Sequence, residues 1–201
     1  MTFTTAHLSM SLDGFVAGLD QSLEDPLGRG GPALHRWHLE TDNEVDARWS
    51  ARILRPGAVY VMGRNMFGPV RGPWSSYDGE WRGWWGDEPP YHAPVFVLTH
   101  HAHDPIEMAG GTTFHFVTEG LAAALAQARE AGDGDVDIAG GASVVRQALE
   151  QGELDELTLD VAPVLLGAGE RVFPADVRGE LEQVEVEHSP RVTHLRYRIR
   201  R

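Results

Sequence analysis

The chain has 201 residues, of which 42% are hydrophobic and 23% are charged, values that are typical of one globular domain and unlike those of a disordered chain. It contains no cysteine, which excludes disulfides, a thiolate nucleophile, and zinc or iron–sulfur sites with cysteine ligands. Its net charge of −13 comes from 30 acidic residues and 17 arginines with no lysine, so general binding to nucleic acids or anionic membranes is not expected, and a Schiff-base or P-loop lysine is excluded.

Neither a targeting segment nor a membrane span is expected from the sequence. The first residues, 1–5, lack a basic segment followed by an apolar core, so no signal peptide is predicted. No apolar run approaches the ~20 residues that span a bilayer. No repeat or linker divides the chain. We therefore expect a cytoplasmic protein with a single domain over residues 1–201.

Periodicity and turn residues predict alternating strands and helices over most of the chain. Alternating or short apolar runs predict strands over residues 4–17 (turning at Asp13-Gly14), 58–62, 94–99, 113–117 and 135–139. Helices are predicted over residues 42–54 (with Asp42 or Asn43 as the cap), 121–131 and 142–151. Alternation of strands and helices is typical of a parallel sheet.

The pattern changes to strands alone after Glu153. Residues 156–166 predict a strand that is interrupted by Pro163. Residues 184–187 and 192–200 predict an antiparallel pair. The sequence therefore predicts an α/β fold with a mixed, mainly parallel sheet and antiparallel strands at its C-terminal end.

Residues 69–91, which we call the tryptophan-rich segment, show no sustained period. The segment contains four tryptophans among glycines, prolines and acidic residues, and these are Trp74, Trp81, Trp84 and Trp85. A loop this long inside a compact domain is usually functional or mobile. We interpret it as an insertion that could reshape or cover a substrate pocket.

Glycines suited to a phosphate follow one predicted strand. Gly140 and Gly141 precede a predicted helix, and glycines let the backbone approach a ligand while a helix N-terminus presents unpaired amides. Ser143 could add a hydroxyl group in the first turn. A tight turn that requires glycine explains the same residues equally well. The common dinucleotide and P-loop motifs are absent at this point.

Polar residues also follow the strands predicted over 58–62 and 94–99. Arg64, after Gly63, could pair with a phosphate or with a surface carboxylate. The histidines of Thr99-His-His-Ala-His103 lack the spacing of common zinc motifs. They could contact a cofactor, lie in a solvated loop, or bind a metal together with His35 or His38.

Asp13 is a candidate for contact with a heterocycle or for proton transfer, since carboxylates serve both purposes, although Asp-Gly is also an ordinary turn pair. If residues 34–38 are helical, His35 and His38 share one face. Trp37 could stack on a planar ring or belong to the core. No hydrolase or zincin motif occurs in the sequence.

Five pieces of the sequence, in this order, resemble the dihydrofolate-reductase-like superfamily: Ser11-Leu-Asp-Gly-Phe15, Val61-Met-Gly-Arg-Asn65, Val97-Leu-Thr-His100, Ile138-Ala-Gly-Gly-Ala142 and Leu159-Asp-Val-Ala-Pro-Val-Leu-Leu-Gly167. The resemblance is closer to the C-terminal reductase domain of the riboflavin-biosynthesis deaminase–reductase and its stand-alone relatives. It covers Thr4 to Arg200. It implies a mixed, mainly parallel eight-stranded sheet flanked by helices, with antiparallel C-terminal strands.

The resemblance implies an NADPH-dependent oxidoreductase that transfers a hydride to a pterin-like or pyrimidine-like heterocycle, as in riboflavin or folate metabolism. It assigns the cofactor to nine residues, which are Gly63, Arg64, Thr99, His100, His101, Gly140, Gly141, Ala142 and Ser143. It places Asp13, the expected catalytic residue, against the substrate. Phe15, His35 and Trp37 are the other candidate substrate-binding residues. The resemblance also implies a homodimer, and no metal is expected.

Some features depart from the family pattern. His100 and His101 stand where family members often carry basic residues, which leaves the preference for NADPH over NADH open. The zinc deaminase motif is absent. Asp46 is the only candidate for the helix carboxylate of true dihydrofolate reductases. A nucleotide-binding module that keeps the cleft without catalysis is the alternative function.

Overall fold

The computed structural model describes residues 2–40, 42–68, 72–77, 79–173 and 178–200. Its strands, numbered in chain order, are β1 (Thr4–Ser11), β2 (Phe15–Ala17), β3 (Val59–Gly63), β4 (Pro94–Leu98), β5 (Ile106–Glu107), β6 (Thr113–Val117), β7 (Val136–Gly140), β8 (Glu156–Ala162), β9 (Glu170–Arg171), β10 (Leu181–Ser189) and β11 (Val192–Ile199). Its α-helices are α1 (Arg36–Leu39), α2 (Glu44–Ser50), α3 (Arg64–Phe67), α4 (Leu121–Ala131) and α5 (Ala142–Glu150). Short 3₁₀ helices cover Gly31–His35, Trp74–Ser76 and Ala109–Gly111.

The described residues form one large mixed sheet with the strand order β10-β11-β8-β1-β7-β3-β4-β6-β5. The six strands from β8 to β6 run parallel, whereas β11, β10 and β5 are antiparallel to their neighbours. The mixed, mainly parallel sheet with antiparallel C-terminal strands is therefore confirmed. It has nine strands rather than the expected eight, and β5 has only two residues, too few to produce a recognisable pattern. β2 and β9 form a separate antiparallel pair.

The central strands are apolar because both of their faces are covered. In β3, Val59, Tyr60, Val61 and Met62 are all at most 2% exposed, as expected for parallel strands that lie between two layers. On one face, α4 and α5 contribute small and branched side chains to the core, which are Ala124, Leu125, Ala128, Val144, Val145 and Ala148. On the C-terminal part of the other face, Trp37, Trp49 and Val192 form a separate buried cluster.

Two predicted element ends differ from the structure for identifiable reasons. Asn43 caps α2 as predicted, since its side-chain oxygen accepts hydrogen bonds from the amides of Val45 (2.9 Å) and Asp46 (3.4 Å). The helix ends at Ser50 rather than near residue 54, because the chain continues in i→i+3 turns before Pro56. The strand predicted over 156–166 ends at Ala162, directly before Pro163.

The described part of the tryptophan-rich segment is irregular apart from its 3₁₀ turn, and residues 69–71 and 78 of the segment lie outside the described residues. Three indole N–H groups attach it to backbone oxygens near the ends of α3 and β4. Trp74 donates to His101 at 2.8 Å, Trp81 to Phe67 at 2.9 Å and Trp84 to Met66 at 3.0 Å. Across the described residues, no helix has both the length and the apolar character that crossing a membrane would require.

Candidate active site

The strand order brings the residues expected to bind a cofactor to one edge of the sheet. β7, β3 and β4 are adjacent and parallel, so their C-terminal ends meet at this edge, which we call the carboxyl edge. Gly140 ends β7, Gly63 ends β3, and Thr99 directly follows β4. Ligands of open α/β sheets bind outside such strand ends.

The backbones of β3 and of the turn before α5 come into close contact at their glycines. A Cβ atom at Gly63 would lie 3.1 Å from Cγ2 of Val144 and 3.5 Å from the amide nitrogen of Gly141. Gly140 has φ +139°, and a Cβ atom there would lie 2.8 Å from the sulfur of Met66. The peptide bond between Gly140 and Gly141 is cis. Glycine is required at Gly140 by both the dihedral angle and the lack of space.

The N-terminus of α5 faces open space. Gly141 is the N-cap, and no side chain among the described residues caps this helix. A Cβ atom at Gly141 would meet no described atom within 4 Å. Ser143 is exposed in the first turn, whereas Ala142 is 5% exposed and packs inward. Free amides at the positive end of a helix dipole form a site suited to an anion.

Arg64 begins α3 at the same edge, and its guanidinium group is covered. Its Cζ atom lies 3.4 Å from the ring centroid of Trp74, in the tryptophan-rich segment. All three guanidinium nitrogens are buried. An arginine stacked on an indole face is a stabilising cation–π contact. Because the guanidinium group is buried in this structure, phosphate binding by Arg64 stays a prediction.

The turn after β4 is held by Thr99. The Thr99 side chain is 8% exposed, and its Oγ1 atom accepts a hydrogen bond from the amide of His101 at 3.1 Å. His100 is exposed, and His103 packs against the rings of Trp74 and Phe116. Within the described ranges, no group of three or more histidine, aspartate or glutamate side chains is arranged to hold a metal ion.

Asp13 links the turn after β1 to the loop after β8. Its carboxylate accepts hydrogen bonds from the amides of Leu166 (3.0 Å) and Gly167 (2.7 Å). A hydrogen bond from Ser11, followed by those from Gly167 and Leu166, lowers the pKa of Asp13 to about 2. The carboxylate is therefore ionised at neutral pH and accepts hydrogen bonds instead of donating a proton.

Phe15 lies beside Asp13, and the side chain of Arg171 stacks on its ring. Arg171 was not among the residues expected to form the site. Phe15 is 6% exposed, and its amide donates to Oγ of Ser11 at 2.9 Å. The Cζ atom of Arg171, on β9, lies 4.0 Å from the Phe15 ring centroid. The only sequence signal for Arg171 is its place shortly after the Gly167-Ala-Gly169 turn that follows β8. The exposed guanidinium puts a positive charge beside the Asp13 turn.

Trp37 and His35 lie on the helical stretch that covers β1 and β8. Trp37 is 1% exposed, and its indole N–H donates to Oγ of Ser9 at 2.9 Å, so of the two alternatives the structure places it in the core. His35 Nδ1 lies 3.1 Å from His38 Nε2, which confirms that they share a face. Burial, and then the charge of His38, lowers the pKa of His35 to about 4, so its ring is neutral at neutral pH.

Nearly the whole chain, including the residues of this candidate site, matches one known family. The family model described as the RibD C-terminal domain matches residues 2–195. The chain belongs to the RibD C-terminal domain family. This confirms the resemblance found in the sequence. No curated protein matches the chain.

Solved structures of similar fold include two whose descriptions concern riboflavin biosynthesis or pyrimidine reduction. A putative riboflavin biosynthesis protein from Shewanella sp. PV-4 is 22% identical, with a TM-score of 0.69 and all of both chains covered. A pyrimidine reductase-like protein from Corynebacterium diphtheriae is 17% identical, with a TM-score of 0.57 over 100% of this chain and 92% of the other. At these identities the likeness shows the fold alone.

A third similar structure is longer than this chain. It is a diaminohydroxyphosphoribosylaminopyrimidine deaminase/5-amino-6-(5-phosphoribosylamino)uracil reductase from Thermotoga maritima, 14% identical with a TM-score of 0.60. The match covers 98% of this chain but 56% of the Thermotoga chain. Our RibD C-terminal domain protein therefore spans little more than half of that enzyme.

This RibD C-terminal domain protein also contains a buried chain of histidines and aspartates, here called the His–Asp network, that sequence reasoning missed. Asp160 on β8 lies 2.6 Å from Nε2 of His7 on β1 and 2.6 Å from Nδ1 of His194 on β11. The other ring nitrogen of His194 lies 3.1 Å from Asp46 on α2. Two carboxylates thus flank the two ring nitrogens of His194.

The His–Asp network also accounts for Asp46, the candidate helix carboxylate. Asp46 is 0% exposed and accepts a hydrogen bond from Oγ of Ser189 at 3.0 Å, in addition to its contact with His194. Burial alone would raise the pKa of Asp160, but hydrogen bonds from His194 and His7 outweigh burial and lower it. The network therefore joins three strands to α2.

Proposed function

We propose that the protein is an NADPH-dependent oxidoreductase that transfers a hydride to a small pyrimidine-like or pterin-like heterocycle. Membership of the RibD C-terminal domain family supports an oxidoreductase. The observation that carries the choice of a dinucleotide is the carboxyl edge itself. There, Gly63 and Gly141 lie against each other and the uncapped N-terminus of α5 faces open space.

The residues present fit a dinucleotide at this edge. The first amides of α5, together with the backbone of Gly141 and the hydroxyl of Ser143, would hold the diphosphate. The absence of a side chain at Gly141 leaves open space that a phosphate group could occupy. The Thr99–His101 turn would contact the adenosine part, and Arg64 would contact a phosphate.

When bound, the reduced nicotinamide supplies a hydride to the heterocycle. Asp13 positions the substrate site, since its carboxylate fixes the loop at Leu166 and Gly167. An ionised carboxylate there can accept a hydrogen bond from an amino group of the heterocycle. Because its pKa is about 2, Asp13 does not supply the proton that balances hydride transfer, and we assign that proton to water.

The proposal is tested by combining cofactor binding with a turnover assay. Calorimetry with NADPH and NADH measures binding, and loss of NADPH absorbance is followed with pteridines, pyrimidines and quinones as acceptors. Binding together with oxidation in the presence of a pyrimidine or pteridine is the expected result. Binding without oxidation by any acceptor would identify the nucleotide-binding module, and no binding of either cofactor would refute the proposal.

A further inference from the structure

A cavity of about 300 Å³ lies next to the turn after β4, and its walls are mostly aromatic. We call it the aromatic cavity, and it is lined by Trp74, Tyr77, Gly79, Glu80, Trp81 and His103. Its volume is at the lower end of the range for small-molecule sites, which suits one fused ring system and not a whole dinucleotide. Most of its lining comes from the tryptophan-rich segment.

The polar atoms of the two indole rings are already satisfied, so their remaining surfaces are apolar. The Trp74 N–H donates to the His101 oxygen and the Trp81 N–H to the Phe67 oxygen. The Trp81 ring is also held edge-to-face against Tyr77, with centroids 5.7 Å apart. A Cβ atom at Gly68 would lie 2.2 Å from Nε1 of Trp81, so this glycine permits the close approach. The cavity is therefore pre-shaped for a flat apolar ligand.

A carboxylate in the cavity lining favours an amino group. Among the described residues that line the cavity, Glu80 carries the only negative charge, and Arg64 stacks on the Trp74 ring without belonging to the lining. A carboxylate repels phosphate groups but accepts hydrogen bonds from an exocyclic amine. His103 forms a further wall, and it packs edge-to-face on Trp74 with centroids 4.8 Å apart.

The position of the cavity separates it from the substrate site. Along the order β1-β7-β3-β4, the end of β4 is three strands from the end of β1, which carries the Asp13 turn. At the usual spacing of adjacent strands this is about 14 Å. A dinucleotide with its reactive ring near Asp13 and its diphosphate at α5 would bring its other base to the end of β4.

We propose that the aromatic cavity holds the adenine ring of the dinucleotide, with the ring against Trp74 and Trp81 and its amino group donating to Glu80. This inference rests on the proposed function. It gives the tryptophan-rich segment a binding role at the end of the cofactor that does not react.

Trp81→Leu tests the stacking contact by calorimetry with NADPH, ADP and reduced nicotinamide mononucleotide, which lacks adenine. Removing an aromatic stacking partner is expected to weaken NADPH and ADP binding by at least about fivefold. Binding of the mononucleotide should not change. Trp85→Leu is the matched control, because Trp85 is 60% exposed and does not line the cavity.

Glu80→Gln tests the amino group with a substitution at an exposed position that preserves side-chain size. Wild type is expected to prefer ADP over inosine diphosphate, whose ring has an oxygen in place of the amino group, by about tenfold or more. The variant should lose most of that preference. The comparison of ADP with inosine diphosphate tests the adenine assignment even if the Trp81→Leu variant does not fold.

The outcomes separate the two proposals. If wild type binds NADPH but Trp81→Leu binds it equally well, or if wild type does not distinguish ADP from inosine diphosphate, the adenine assignment is overturned and the proposed function stands. If wild type binds neither NADPH nor NADH, the proposed function fails and the adenine assignment fails with it.

Discussion

Asp13 shows how a single residue can have a different role from the one its sequence context suggests. In sequence, an acidic residue at the end of a strand is a candidate for acid–base chemistry. In the structure, its carboxylate binds two amides from a loop more than 150 residues away, and the pKa is lowered to about 2. Asp13 is therefore better described as a positioning residue that shapes the proposed substrate site.

Asp13→Asn is expected to lower kcat more than it weakens NADPH. The asparagine side chain has one acceptor oxygen instead of two, so it can accept only one of the two backbone hydrogen bonds. Its NH₂ group would face the other backbone N–H, which is also a donor, and the loop at Leu166 and Gly167 would therefore shift. A displacement of this kind should reduce kcat by about ten- to hundredfold. Steady-state kinetics and calorimetry measure both effects, with Asp20→Asn as the exposed control. A weakened NADPH Kd with unchanged kcat would reverse the assignment.

The carboxyl edge of the sheet depends on glycines that differ in what they tolerate. Gly140 has a φ angle that L side chains rarely adopt and is crowded by Met66, so its role is structural. Gly141 has φ −84° and open space where a Cβ would lie. The fold therefore requires glycine at position 140, whereas a side chain at position 141 would affect only the space that a ligand could occupy.

Gly141→Ala is expected to leave the free energy of unfolding within about 1 kcal/mol of wild type, since nothing opposes the new methyl group. The same methyl group would stand in the proposed diphosphate site and should weaken NADPH by about tenfold or more. Chemical denaturation and calorimetry test this. Gly179→Ala is the control, because its added Cβ also meets no described atom within 4 Å, outside the carboxyl edge. Unchanged NADPH affinity in Gly141→Ala would argue against the diphosphate at α5.

The His–Asp network joins three strands to α2 through polar side chains. His7, Asp160 and His194 come from adjacent strands, and Asp46 comes from the helix above them. Because the Asp160 carboxylate serves two histidines while it is almost fully buried, its removal leaves polar and charged groups without a partner in a region of low dielectric constant.

Asp160→Asn is expected to lower the free energy of unfolding by about 3–5 kcal/mol, as when one partner of a buried ion pair is removed. The folded pKa of Asp160 lies below its ordinary value of 3.8, so its contribution is present above that pH and is lost as the pH falls through the folded pKa. Urea denaturation between neutral pH and pH ~3 should show a constant difference from wild type that shrinks only at the acidic end. Glu40→Gln, at an exposed ion pair, should change stability by less than about 1 kcal/mol.

At the scale of the whole molecule, the sheet order brings the parts of the proposed nucleotide site together. The three segments suited to a nucleotide are far apart in the chain but follow neighbouring strands β7, β3 and β4. A ligand that contacts all three ties together elements that are distant in sequence, and it stabilises the folded state because the unfolded chain has no such site.

NADPH is therefore expected to raise the melting temperature. At a concentration 100 times its Kd, binding adds about 2.7 kcal/mol, which corresponds to about 5–10 °C for a domain of this size. Differential scanning fluorimetry with NADPH, ADP and reduced nicotinamide mononucleotide measures the shift, and ADP should retain part of it. No shift with NADPH at any soluble concentration would contradict the dinucleotide site.

Much of the local structure could be predicted from the sequence. The cap at Asn43, the helix over 121–131, and the strand ends at Gly63 and Gly140 all follow from backbone preferences and side-chain period. Family motifs at these ends also indicated the family that the chain belongs to. α3, β5 and β9 were missed because they have two to four residues each, too few for a period.

The sequence by itself determined the class of fold, the family and the glycines of the carboxyl edge, because these depend on residues that are close together in the chain. Only the tertiary structure decided that Trp74 covers Arg64, that Asp13 holds a distant loop, and that Trp37 belongs to the core. The physical reason is that a side chain's hydrogen bonds, burial and pKa are set by its neighbours in space. Those neighbours are known only once the strands have taken their order in the sheet.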